Sequence, residues 1–242
     1  MTEKISSWNV GKVKITRIVE IERTGPMFVV PDAIPENIIK MPWLKPYFAD
    51  EKGNTIVSVH ALVIETSEKC IIVDTCLGND KERHILAWNN LQTKFLEDLE
   101  RAGYKTTDID TVLCTHLHTD HVGWNTVLIN DKWEPTFKKA DYLFGKDEWN
   151  YTEKQIKIPA YAEFINDSII PIIESGLVKF VEVDEKICEE VKLEPTIGHT
   201  PGHVSIKIES EGKKASITGD FLHHPCQMEK LDWISSADWN PE

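Results

Sequence analysis

The sequence predicts an α+β fold in which β-sheets pack face to face with helices outside them. Three observations carry this expectation. Short apolar or alternating segments with strand character dominate the chain. Several follow one another closely enough to pair as hairpins. Segments with helical spacing of apolar residues fall between those groups rather than after every strand.

Taken in order, VKITRIVEIE (13–22) alternates apolar and polar residues and suits a strand with one buried face. The stretch 24–54 changes character. It carries Pro26, Pro31, Pro35, Pro42 and Pro46 among Met27, Phe28, Met41, Trp43, Tyr47 and Phe48. Prolines so closely spaced block regular pairing, while the aromatic content is too high for a linker. An ordered cap loop is expected, with one short helix at 35–40. IVSVHALVIET (56–66) and KCIIVDTCLG (69–78) read as strands joined through Ser67 and Glu68. LQTKFLEDLERAGY (91–104) places Leu91, Phe95, Leu96 and Leu99 at helical spacing. IDTVLCTH (109–116) is a buried strand, another is expected at 140–144, and AEFINDSIIPIIES (162–175) is helical up to a kink at Pro171. Strands at 177–183, 191–198, 203–210 and 214–220 complete the pattern. No linker divides it, so residues 1–242 read as a single domain.

Composition narrows the function. A net charge of −13 repels phosphate backbones and anionic membrane surfaces, so neither nucleic acid nor a membrane is an expected partner. Five cysteines with no C-x-x-C argue against a disulfide framework or a thiolate zinc site. Lysines stand where a signal peptide needs its apolar run, and no segment has the ~18 apolar residues of a membrane span. These features point to a cytoplasmic protein.

The chemistry is concentrated in three turns. CTHLHTDHVGWN (114–125) places His116, His118, Asp120 and His121 within six positions, in a chain with only nine histidines. Imidazoles beside a carboxylate suit a borderline-soft divalent ion. If the preceding strand continues, His116 and His118 share a face, and Asp120 and His121 approach from the following turn. TIGHTPGHVS (196–205) adds His199 and His203 around a tight turn. SITGDFLHHP (216–225) adds Asp220 after a strand end, then His223 and His224.

Together, THLHTDH, HTPGH and TGD resemble the metallo-β-lactamase superfamily with its H-x-H-x-D-H signature, and IIVDTCLG looks like that family's strand ending in a DTG turn. The likeness runs over most of residues 56–224. It implies a four-layer αβ/βα sandwich, two sheets with helices on both outer faces. It also implies two divalent ions, zinc suiting the ligands best and manganese, iron or cobalt being compatible. His116, His118 and His203 would hold the first ion, Asp120 and His121 the second, and Asp220 would bridge them. Asp74 would orient a ligand or the turn, and His199 would be structural. A hydroxide between the ions would be the nucleophile, and Asp120 a proton carrier.

Within the superfamily, GHTPGHVS and GDFLHHP are most similar to the branch of N-acyl-homoserine lactonases and methyl-parathion-hydrolase-like enzymes. The resemblance assigns His223 as an electrophilic helper. Trp43, Tyr47, Phe48 and Trp124 are expected to wall the pocket. The expected substrate is a small ester or lactone, with phosphotriesters as the alternative, and a homodimer is compatible with this reading. Two features depart from the family. Cys76 replaces the glycine of DTG. The family also closes its second site with a final histidine, one helix and strand beyond the bridging aspartate, whereas His224 is the last histidine here. The expectation is therefore a fold truncated at its C-terminus with a weakly held second ion. Two rivals follow: a metal-depleted binding or sensor protein, and a single-iron persulfide dioxygenase. The presence of both Asp120 and His121 counts against the latter.

Overall fold

The structure, a computed structural model, describes residues 5–240. Alternation and tight turns build most of a seven-stranded mixed sheet. β1 (Ile5–Val10), β2 (Val13–Gly25), β3 (Thr55–Glu65) and β4 (Cys70–Val73) pair antiparallel in sequence order. β5 (Thr111–Leu113), β8 (Asp141–Gly145) and β9 (Val178–Val181) then add in parallel. β6 (Thr126–Ile129) and β7 (Lys132–Pro135) form a separate hairpin. β10 (Val191–Pro195), β11 (Val204–Ser210) and β12 (Lys213–Ile217) form an antiparallel three-stranded sheet.

The two larger sheets close on each other through Val13, Ile15, Ile64, Ile71, Val73, Leu113 and Leu143 from one side, and Val191, Leu193, Val204, Ile206 and Ile208 from the other. Each set comes from alternate positions along its strands, as pleating requires. The opposite face of the large sheet is covered by helices. α2 (Phe95–Arg101) contributes Phe95 and Leu99, and α5 (Pro159–Phe164) and α6 (Ile170–Glu174) contribute Phe164 and Ile172. Two shorter helices, α3 (Thr119–Val122) and α4 (Lys146–Thr152), follow β5 and β8, and α1 (Pro35–Ile38) lies in the cap loop. The expected layering of facing sheets with helices outside is met on the large sheet. The outward face of the small sheet exposes Lys192, Lys207 and Glu209. Among the described residues, no helix is long and apolar enough to cross a membrane.

The differences from expectation are local. Residues 5–10 form an edge strand. The turn at Asn130 and Asp131, with φ of +50° and +61°, closes the β6–β7 hairpin. Two successive left-handed residues give the twist that tight hairpins need. Where a kink is expected at Pro171, the irregularity of the 159–174 helix lies just before it. The helix passes through a π-helical turn at Ile165–Ile169, which frees the carbonyl geometry a proline would otherwise clash with. Residues 27–49 form their own cluster, in which Met27, Val30, Ile38, Met41 and Leu44 pack with Cys226 and Trp233.

Candidate metal centre

The three turns meet at one end of the space between the sheets. The His116–His121 segment leaves the C-terminal end of β5 and runs into α3, where the His121 N–H donates to the His118 carbonyl (3.0 Å). The turn after β4 supports it. The Asp74 carboxylate accepts from both the backbone N–H and the hydroxyl of Thr115, each at 2.8 Å, and lies 3.0 Å from His121 Nδ1. The Thr75 N–H donates to the His121 carbonyl (2.7 Å). Asp74 and Cys76 hold φ of +53° and +54°. Such backbone is uncommon for residues with a Cβ and marks a constrained site. Cys76 is fully buried among apolar neighbours.

His118 Nδ1 lies 3.1 Å from His116 Nε2 and 2.9 Å from His199 Nε2. Asp220 Oδ2 is a second hub, 3.4 Å from His121 Nε2, 3.5 Å from His223 Nε2 and 3.7 Å from His199 Nε2. His121 Nε2 is 3.8 Å from Asp120 Oδ2. Ligands at 2.0–2.1 Å from a tetrahedral zinc ion stand roughly 3.3 Å apart, so these separations fit such a donor set.

Electrostatics agree. Burial, then the surrounding imidazoles, hold His116 well below the ordinary histidine value and His118 down to about 3. Both rings are therefore neutral at pH 7, each with a lone pair on one nitrogen. Burial also disfavours charge on His121, but Asp220, Asp74 and Asp120 outweigh it and raise that ring. Burial, reinforced by the Asp220 charge, raises Asp120. Asp220 is held low against its own burial, chiefly by His121. Both ring nitrogens of His223 are buried without a hydrogen-bond partner.

The structure places His203 and His199 differently from the expectation. His203 Nδ1 faces the Thr196 hydroxyl (2.8 Å) and carbonyl (3.1 Å), and its Nε2 accepts the Asp220 N–H (3.0 Å). Both nitrogens of that ring are thus engaged by the protein, and burial pushes it down to about 4. His199 takes its place beside His116 and His118. The tight HTPGH turn, not strand alternation, decides which ring points inward.

The pocket expectation also changes. A cavity of about 500 Å³ opens between the large sheet and β12 and ends on Asp120, His121, Asp220 and His223. Phe48 lines it, but Trp43 and Tyr47 do not. Trp43 Nε1 donates to Glu229 (2.7 Å), and Tyr47 is 66% exposed. Trp124 lies in the core beneath the helices, stacked on Phe95, with its Nε1 donating to Glu20 (2.6 Å). His224 is likewise structural: its ring lies 2.9 Å from the Phe48 carbonyl and accepts the Cys226 N–H.

Two carboxylates important to the site escaped sequence reasoning. Asp238 lies 2.8 Å from His199 Nδ1 and so aims Nε2 at the cluster. Glu148 accepts the N–H groups of Leu117 (3.0 Å) and Gly202 (3.1 Å), tying two of the turns together. No spacing signal links either residue to its partner.

A model of the metallo-beta-lactamase superfamily matches residues 54–237. An N-acyl homoserine lactonase of Bacillus cereus is 29% identical over 172 residues, covering 66% of this chain and 62% of its own length. One from a Bacillus species is 28% identical over 165 residues, covering 63% and 59%. The chain thus spans less than two thirds of these relatives. A solved structure of a probable metal-dependent hydrolase from Staphylococcus aureus superposes with a TM-score of 0.76 at 23% identity, covering 97% of this chain and 82% of that one. AidC, described as a dizinc quorum-quenching lactonase in complex with its product, gives 0.73 at 20%, covering 98% and 81%. At these identities the structural likeness is one of fold. With one family model spanning most of the chain, and its histidine–aspartate motifs folded into one cluster, the chain belongs to the metallo-beta-lactamase superfamily.

Proposed function

We propose that this chain is a metal-dependent hydrolase of a small ester, lactone or related acyl compound. The observation that carries the reading is the convergence of three imidazole nitrogens, those of His116, His118 and His199, beside the Asp220 oxygen at the end of an apolar-walled cavity.

His116, His118 and His199 would hold one divalent ion, Asp120 and His121 a second, with Asp220 shared between them. Zinc suits this donor set best. When bound, such ions supply Lewis acidity, which acidifies water and polarises an acyl oxygen. The protein's own contribution is positional. Asp74 fixes Thr115 and faces His121, and Asp238 fixes His199. Asp120, whose carboxyl burial raises, is placed to carry a proton between nucleophile and leaving group. His223, whose ring nitrogens make no hydrogen bond although Nε2 lies 3.5 Å from Asp220, faces the cavity as a hydrogen-bond donor to substrate oxygen. Phe48, Ile56, Val57 and Leu222 offer an apolar wall to the acyl or leaving portion.

The support from relatives is that two proteins named N-acyl homoserine lactonases are 28% and 29% identical to this chain over 165 and 172 residues. The test is an assay of the purified, zinc-loaded chain on lactones, aryl esters and phosphotriesters, with metal content measured in parallel. Ester or lactone turnover with about two equivalents of metal is expected. Silence on every substrate overturns the reading and, with one equivalent or none, favours a binding or sensor protein.

A further inference from the structure

The cavity wall contains one arginine, which has no ion-pair partner among the described residues. Arg17 lies on β2, paired across to Leu62 of β3, and lines the cavity with Ile15, Ser58, His60 and Leu62. Its guanidinium makes no ion pair among the described residues, and its Nε is buried without a hydrogen-bond acceptor. The side chain is only partly buried, so its remaining donors open onto the cavity, where they meet no anion among the described residues. The shortage is not one of anions, since the chain has 40 acidic residues against 27 basic ones. The fully buried cations do have an anionic partner: Lys81 and Arg83 both reach Asp167, at 3.3 and 2.7 Å.

The carboxylates that share the cavity are engaged elsewhere. Asp74 is held by Thr115, and Asp120 and Asp220 face His121. His60 adds no charge beside Arg17. Its Nδ1 sits 3.0 Å from the Ser58 hydroxyl, and burial together with the Arg17 charge pushes its ring down to about 4. The cavity therefore has a cationic fork on one wall, the metal-ligand cluster at one end, and an apolar lining of Ile15, Leu62, Val73 and Ile217.

We propose that Arg17 receives an oxyanion on the substrate, so that the compounds this site prefers are esters or lactones carrying a carboxylate or phosphate group. This rests on the hydrolase reading above. The planar guanidinium can meet such a group with two parallel N–H donors, and the exchange would supply the partner that the fold withholds.

Binding measured without turnover tests it. The full chain is titrated by calorimetry in EDTA, so that no metal ion competes, with hexanoate, hexyl phosphate and uncharged hexanamide. At least one anion should bind tenfold or more tightly than the amide. Arg17→Gln should lose that preference, and Arg17→Lys should retain part of it as a point charge. Thermal melts establish that each variant is folded; should Arg17→Gln fail to fold, the Lys variant and Arg17→Met carry the comparison. The ratio of the two anions tells carboxylate from phosphate. Equal binding of anion and amide by the wild type, or an undiminished preference in the folded variants, overturns the proposal. A chain that binds anions through Arg17 yet hydrolyses nothing refutes the hydrolase reading alone.

Discussion

His199 and His203 stand four positions apart in one turn, yet the structure gives them opposite tasks. His199 joins the imidazole cluster through Nε2, while His203 spends both ring nitrogens on Thr196 and the Asp220 backbone. Substitution should separate them. His199→Ala should lose about one equivalent of bound zinc, read by elemental analysis after dialysis. His203→Ala should keep its metal in the short term but lose roughly 1–3 kcal/mol of stability in denaturant melts, because a buried donor at Asp220 goes unmet. Asp238 acts through His199. Asp238→Asn should weaken zinc affinity by about 10–100-fold, the range for outer partners of metal ligands, read by competition with a chelator.

At the scale of elements, the site depends on how closely backbones approach. A Cβ built on Gly202 would come 2.3 Å from the Glu148 nitrogen, and one on Gly123 would come 1.9 Å from the Leu77 carbonyl. In each case the obstacle is backbone rather than a yielding side-chain tip. The first contact holds the HTPGH turn against α4, and the second holds α3 against the turn after β4. Gly202→Ala should therefore push α4 from the turn and break the Glu148 bonds to Leu117 and Gly202, with a loss of several kcal/mol. Glu148→Gln keeps the shape but removes one acceptor oxygen, so it should cost less. Chemical denaturation of both variants checks the order.

At the scale of the whole molecule, a buried ionic group anchors the hairpin and helices on the outer face of the large sheet. Lys81 reaches Asp167 and the Thr126 hydroxyl (2.9 Å) and lies 3.7 Å above the Trp133 ring, while Arg83 makes two bonds to Asp167. Asp167 sits in the π-helical turn, which brings its carboxylate inward. Asp167→Ala leaves two interior cations without their anion and should cost about 3–5 kcal/mol. Burial pushes Lys81 down to about 8 from 10.5, with Asp167 opposing and Arg83 assisting. Between those values the unfolded chain still holds a proton that the folded chain has released. Stability should therefore rise from pH 8 to 10.5 relative to Lys81→Met, which lacks the group. Melts of both proteins across that range test the sign.

What the sequence by itself determined was local and short-ranged. Alternation marked most strands of both sheets. The crowding of His116, His118, Asp120 and His121, followed by HTPGH and TGD, marked the family and the end of the sheets where the cluster would form. The β6–β7 hairpin, turning at Asn130 and Asp131, went unread. Only the tertiary structure decided which side chains face inward, because that depends on partners far along the chain. His199 meets His118 across 81 positions, Asp238 meets His199 across 39, and Trp124 finds Glu20 across 104. A ring's direction is set by what fills the space around it, and no spacing along one segment encodes that.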